Sequence, residues 1–129
     1  MPKYRRIKPS PTKKDYPTDT GLTTSIVIYV PSTDASQKSS RALLTKRVKE
    51  TQSFLTRTFG GTTKVSGFGT YTSKQGNVIG EAVAKVEVFT TPKTWNAKDH
   101  ILLNWLKTKK ELWGQESIGW EFEESMHFV

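Results

Sequence analysis

The segment Thr24 to Val30 (TSIVIYV) alternates Ile26, Ile28 and Val30 with Val27 and Tyr29, so a strand built from it is apolar on both faces. Such a strand belongs in the interior of a sheet, and Pro31 ends it. After a polar connection, Leu44, Val48, Leu55 and Phe59 recur at helical spacing, with Leu43 and Phe54 beside the stripe and Gly60-Gly61 as the stop. Thr62 to Tyr71 and Val78 to Phe89 read as two strands around a Ser73 to Asn77 turn. Gly67 and Gly69 suggest a bulge or a close backbone approach in the first of them.

Beyond Pro92, Asn96 or Asp99 can cap a second helix with Leu102, Trp105, Leu106 and Trp113 inward, closed by Gly114. Ile118, Trp120 and Phe122 then share a face, and a tight turn at Glu123-Glu124-Ser125 leads to a short strand, Met126 to Val129. The order is β-α-β-β-α-β with a short C-terminal hairpin strand. It predicts an α+β, ferredoxin-like split βαβ sandwich, an antiparallel sheet with two helices on one face. The opposite face is then free for solvent, a ligand or a second copy, with Tyr29, Phe68, Val83 and Phe89 as its expected apolar members.

Charge divides the chain differently. Six basic residues, Lys3, Arg5, Arg6, Lys8, Lys13 and Lys14, fall in the first fourteen positions, whereas the remaining fourteen basic residues face all twelve acidic ones. With Pro2, Pro9, Pro11 and Pro17 among them, residues 1–22 read as a basic arm and residues 23–129 as one folded domain. No cysteine is present, which removes disulfides, thiolate metal sites and cysteine nucleophiles. No apolar run is long enough for a membrane span, so a cytoplasmic protein is expected.

The stretch GFGTY at Gly67 to Tyr71, Glu81 within GEAVAKVEVF, and WGQESIGWEF from Trp113 resemble a loose group of small bacterial α+β proteins of unknown function. That resemblance implies the fold over residues 24–129 and carries no activity. In it, Gly114 caps a helix, Gln115 binds carbonyls of the last turn, and Glu116 opens the next strand. The run Lys64 to Tyr71 also resembles the RNP1 signature of RNA-recognition motifs, but it follows the first helix directly and so lies on the second strand, where that family has it on the third.

Three functions are open at this level. The leading expectation is a nonenzymatic, nucleic-acid-associated module in which the arm lysines and arginines grip phosphates, Lys46, Lys49 and Arg57 extend the cationic field, and Tyr29, Phe68 and Tyr71 stack on bases. The second is an adaptor for an acidic protein partner, with self-association into a homo-oligomer possible for either. The third is a small enzyme with a pocket between sheet and helices around Glu81, Trp105 and Trp120. His100 and His127 have no partner at metal-ligand spacing, and no phosphate loop or nucleophile elbow is present, so neither a metal nor a cofactor is called for.

Overall fold

The computed structural model describes residues 21–129. The arm residues Lys3, Arg5, Arg6, Lys8, Lys13 and Lys14 lie outside the described residues. The elements are β1 (Thr24–Pro31), α1 (Arg41–Thr58), β2 (Thr62–Thr72), β3 (Val78–Thr90), α2 (Pro92–Leu112), β4 (Gly119–Phe122) and β5 (Ser125–Phe128). They form one antiparallel sheet in the order β2-β3-β1-β4-β5, the split βαβ arrangement with β5 added at the edge. The two-sided strand β1 lies at the centre, between β3 and β4.

Alternation along the strands sorts the side chains. Ile26, Ile28 and Val30 of β1 and Ala84, Val86 and Val88 of β3 are all but inaccessible and join Val48, Leu55, Leu102 and Leu106 of the helices in one core. Burying each of the larger of these side chains is worth roughly 1.5–3 kcal/mol. Aromatic rings extend the core toward β4: Phe54 stacks on Trp105 at 4.4 Å, and Trp95 on Phe122 at 4.7 Å. Odd-numbered residues of β1, β2 and β3 face the other side, away from the helices.

The helix ends follow from local chemistry. Ser40 caps α1 by accepting the Leu43 N–H at 3.2 Å, and Gly60, at φ 140°, lets the chain leave it. Gly61 needs no such conformation, contrary to expectation. α2 begins earlier than Asn96 or Asp99. Thr91 is its cap, accepting the Thr94 N–H at 3.0 Å, and Pro92 is the first helical residue, where its missing N–H costs nothing. Between β4 and β5, Glu123 (φ 49°) and Glu124 (φ 73°) make a two-residue left-handed turn whose twist matches the hairpin.

Two expectations about β2 change. Its register with β3 runs unbroken from Thr62 opposite Val88 to Thr72 opposite Val78, so there is no bulge at Gly67 or Gly69. Phe68 pairs with Ala82 on the helix side of the sheet, not with Tyr29, Val83 and Phe89 on the other. It is nonetheless 73% exposed, on a strand exposed along nearly its whole length. No helix among the described residues is long and apolar enough to cross a membrane.

Candidate active site

Among the described residues Glu81 is the one carboxylate that is buried, at 5% exposure. Its position on β3 places it on the helix-free face, and two donors from the end of β1 hold it. The Ser32 N–H donates to Oε1 at 2.9 Å, and the Thr33 hydroxyl lies 3.3 and 3.4 Å from its two oxygens. Opposite it on β2 stands Gly69, which has no side chain to cover the carboxylate. A Cβ there would meet only Val83, at 3.7 Å. That is an ordinary van der Waals distance to a side chain, so the close backbone approach expected at Gly69 is not present either.

That cavity, of about 380 Å³, lies on the helix-free face between the β2–β3 and β4–β5 hairpins. Tyr29, Pro31 and Val83 form its floor, Tyr71 and Phe128 flank it, and Glu81 and Glu116 give it negative charge. Its size and its predominantly apolar lining suit a small organic molecule. Burial pushes the Tyr71 phenol upward, and the negative charges of Glu81 and Glu116 push it further. The site therefore favours cationic groups and repels added anions.

The segment that holds Glu81 is itself clamped from behind. Arg47 of α1, 4% exposed, donates to the carbonyls of Pro31 at 2.9 Å and Thr33 at 2.8 Å through one nitrogen, and to that of Trp113 at 3.3 Å through the other. Its guanidinium lies over the Trp113 ring, 5.2 Å from the centroid. Gln115 also donates to the Thr33 carbonyl, at 2.8 Å, and to that of Trp113, at 2.9 Å. The capping role expected of Gln115 is thus present, and it is joined to the pocket wall. Burial pulls the Arg47 proton affinity down, and Glu81 is the leading charge opposing that.

Beside the cavity, the Tyr29 hydroxyl donates to Glu121, and Lys85 lies over the Tyr29 ring at 5.3 Å. Burial, then the hydrogen bond and the charge of Glu121, push the Tyr29 phenol up to about 12. Because the folded value exceeds the ordinary 10.0, the contribution of Tyr29 to stability is complete below pH 10 and is lost as pH rises toward 12. In an alkaline ultraviolet titration of the folded protein, one tyrosine is expected to ionise last, near that upper value. Tyr29→Phe should remove that step and leave the others in place.

Among the described residues, those expected to bind nucleic acid do not come together. Lys46, Lys49 and Arg57 are exposed on α1, on the helix side. Tyr29 and Tyr71 meet at the cavity, but Phe68 stands on the reverse of the sheet, so the three make no stacking platform. Lys64 to Tyr71 occupies an edge strand. The pocket expected around Glu81, Trp105 and Trp120 is corrected too: Glu81 lines a cavity, whereas Trp105 packs on Phe54 and Trp113, and Trp120 on Trp95 and His127, on the helix side. Among the described residues no three His, Asp or Glu side chains are grouped to hold a metal ion.

No family model matches the chain, and no curated protein matches it. Two solved structures share its fold. A phage SAM lyase in complex with S-methyl-5′-thioadenosine superposes with a TM-score of 0.63 at 19% identity, over 82% of this chain and 88% of that one. A phage SAM lyase in its apo state gives 0.60 at 19% identity, over 82% and 87%. These structures, both of an enzyme, overturn the expectation of a nonenzymatic nucleic-acid module.

Proposed function

We propose that this protein is a lyase that cleaves S-adenosylmethionine and releases S-methyl-5′-thioadenosine. The observation that carries the reading is the buried Glu81 carboxylate in the wall of an aromatic, mainly apolar cavity, within a fold shared with phage SAM lyase. S-adenosylmethionine carries a sulfonium and an ammonium, and the carboxylates of Glu81 and Glu116 suit such a cation. Tyr29, Tyr71 and Phe128 offer ring faces to the sulfonium and to the adenine.

Release of the thioether breaks the bond between sulfur and the methionine γ-carbon, and the electron pair leaves with sulfur. A lyase takes the replacing pair from the substrate itself, not from water. Ring closure by the substrate's own carboxylate meets that requirement without any proton transfer. It also suits Glu81, which accepts hydrogen bonds from Ser32 and Thr33 and is better placed to orient a cation than to abstract a proton. In this reading Glu81 holds the ammonium, so that the attached carboxylate lies behind the γ-carbon. Joining a carboxylate to a carbon bearing a sulfonium cancels two charges, and a mainly apolar lining favours that step.

Incubation of the full chain with S-adenosylmethionine in water labelled with heavy oxygen tests the reading. The expected result is S-methyl-5′-thioadenosine in equal amount to substrate consumed, well above the buffer blank, with no label in the first-formed four-carbon product. Release no faster than the blank would remove the substrate assignment. Label in that product at early times would make the enzyme a hydrolase.

A further inference from the structure

Arg47 does not line the cavity, yet it is bound to the Pro31–Thr33 segment, two residues of which, Ser32 and Thr33, hold Glu81. Pro31 forms part of the cavity floor, Ser32 and Thr33 donate to Glu81, and the Pro31 and Thr33 carbonyls both accept from one Arg47 nitrogen. The two faces of a short segment are therefore divided: its N–H and hydroxyl go to a buried anion, its carbonyls to a buried cation. Among the described residues Glu81 makes no ion pair, so neutral donors on this segment are what hold its charge. A shift of the segment would misplace those donors and the carboxylate together.

A structural role alone would call for less. Arg47 lies among the buried residues Val48, Thr51, Phe54 and Leu55 of α1, where an apolar side chain would fill the space without desolvating a charge. The Thr33 carbonyl already accepts from Gln115, so Arg47 is not needed to satisfy it. What Arg47 adds is a planar fork spanning Pro31, Thr33 and Trp113, with positive charge directly behind the segment that faces Glu81.

We infer that Arg47 is a positioning residue for Glu81, acting through the Pro31–Thr33 segment to fix the carboxylate against the substrate's cationic end. This rests on the lyase reading for its substrate and on the hydrogen-bond geometry for its mechanism. The product S-methyl-5′-thioadenosine has neither ammonium nor sulfonium, so its binding does not depend on where Glu81 points.

The experiment combines Arg47→Gln, Arg47→Lys, Glu81→Gln and the Arg47→Gln/Glu81→Gln pair in the full chain. Steady-state kinetics with S-adenosylmethionine, titration with S-methyl-5′-thioadenosine, and amide hydrogen exchange are measured on each. Folded Arg47→Gln is expected to lose about 10–100-fold in kcat/KM, to keep product affinity within about threefold, and to add no further loss to Glu81→Gln, the sign of a shared function. The Ser32 amide should exchange about tenfold faster, while Ile26 and Val86 keep their protection. Arg47→Lys, which keeps the charge and loses the fork, should recover part of the turnover.

Losses that multiply in the double variant, or unchanged Ser32 exchange in folded Arg47→Gln, would overturn the inference. If Arg47→Gln does not fold, the Ser32 exchange in Arg47→Lys decides: faster supports it and unchanged overturns it. A wild-type chain that leaves S-adenosylmethionine intact would sink the lyase reading, while the Ser32 exchange would still judge the link from Arg47 to Glu81.

Discussion

Glu81→Gln should lower kcat/KM for S-adenosylmethionine by about 10²–10³-fold while leaving affinity for S-methyl-5′-thioadenosine within about threefold. The amide keeps the shape of the side chain and one oxygen for the Ser32 N–H, so the fold should survive with a change of about 1 kcal/mol or less. What disappears is the negative charge beside the cavity, and only the substrate carries a cation to miss it. Glu81→Asp should recover little, because one methylene less carries the charge away from both its donors and the ligand. Steady-state kinetics with product titration checks this. Wild-type turnover in Glu81→Gln would move the chemistry out of this cavity, and equal loss for substrate and product would reduce Glu81 to a matter of shape.

The second large effect concerns the wall of the cavity, not its charge. Gly114→Ala should destabilise the protein by about 2–4 kcal/mol, from a left-handed non-glycine residue together with overpacking. Gly114 ends α2 at φ 65°, and a Cβ there would lie 2.7 Å from the Ala35 Cβ and about as close to the Ala35 backbone. Neither partner is the end of a flexible side chain that could swing aside. For a domain of this size the thermal midpoint should fall by roughly 10–20 °C. Adding Ala35→Gly should restore about half, because it relieves the contact but not the backbone conformation. Full restoration would show that the strain at Gly114 is only steric. Activity should fall as well, since Gln115 and Glu116 follow directly and line the cavity.

The fold was legible because its signals are local. A strand apolar on both sides, two helical stripes and two hairpin turns leave few ways to form one sheet, and they follow in the expected order. α2 starts ahead of the expected caps Asn96 and Asp99 because Thr91 caps it and makes Pro92 a first-turn residue. The site was only partly legible. Glu81 drew notice as a charge within an apolar strand, but its true companions come from β1, β2 and the segment after α2, which the sequence separates widely. Assigning Trp105 and Trp120 to it put the cavity on the wrong side of the sheet. Counting parity from Ala84 and Val86 would have placed Glu81 opposite the helices.

Arg47 was missed although it carried a signal. It falls within the apolar stripe of α1, and a charge in such a stripe calls for partners. The cationic start of the chain drew attention toward nucleic acid, and charge composition speaks to partners more readily than to chemistry. Phe68 shows the same weakness in another form: a strand residue shifted by one position changes face, and a stacking surface assembled from sequence alone can be divided without any sign of it.

The alternation that sorts β3 separates two tasks along one strand. Ala84, Val86 and Val88 answer to the helices, while Glu81, Val83 and Lys85 answer to whatever occupies the open face. Successive positions of one strand thus serve separate ends, one set folding and the other the open face. Substitutions at every second residue of this strand therefore reshape the open face with little penalty to the packing behind it.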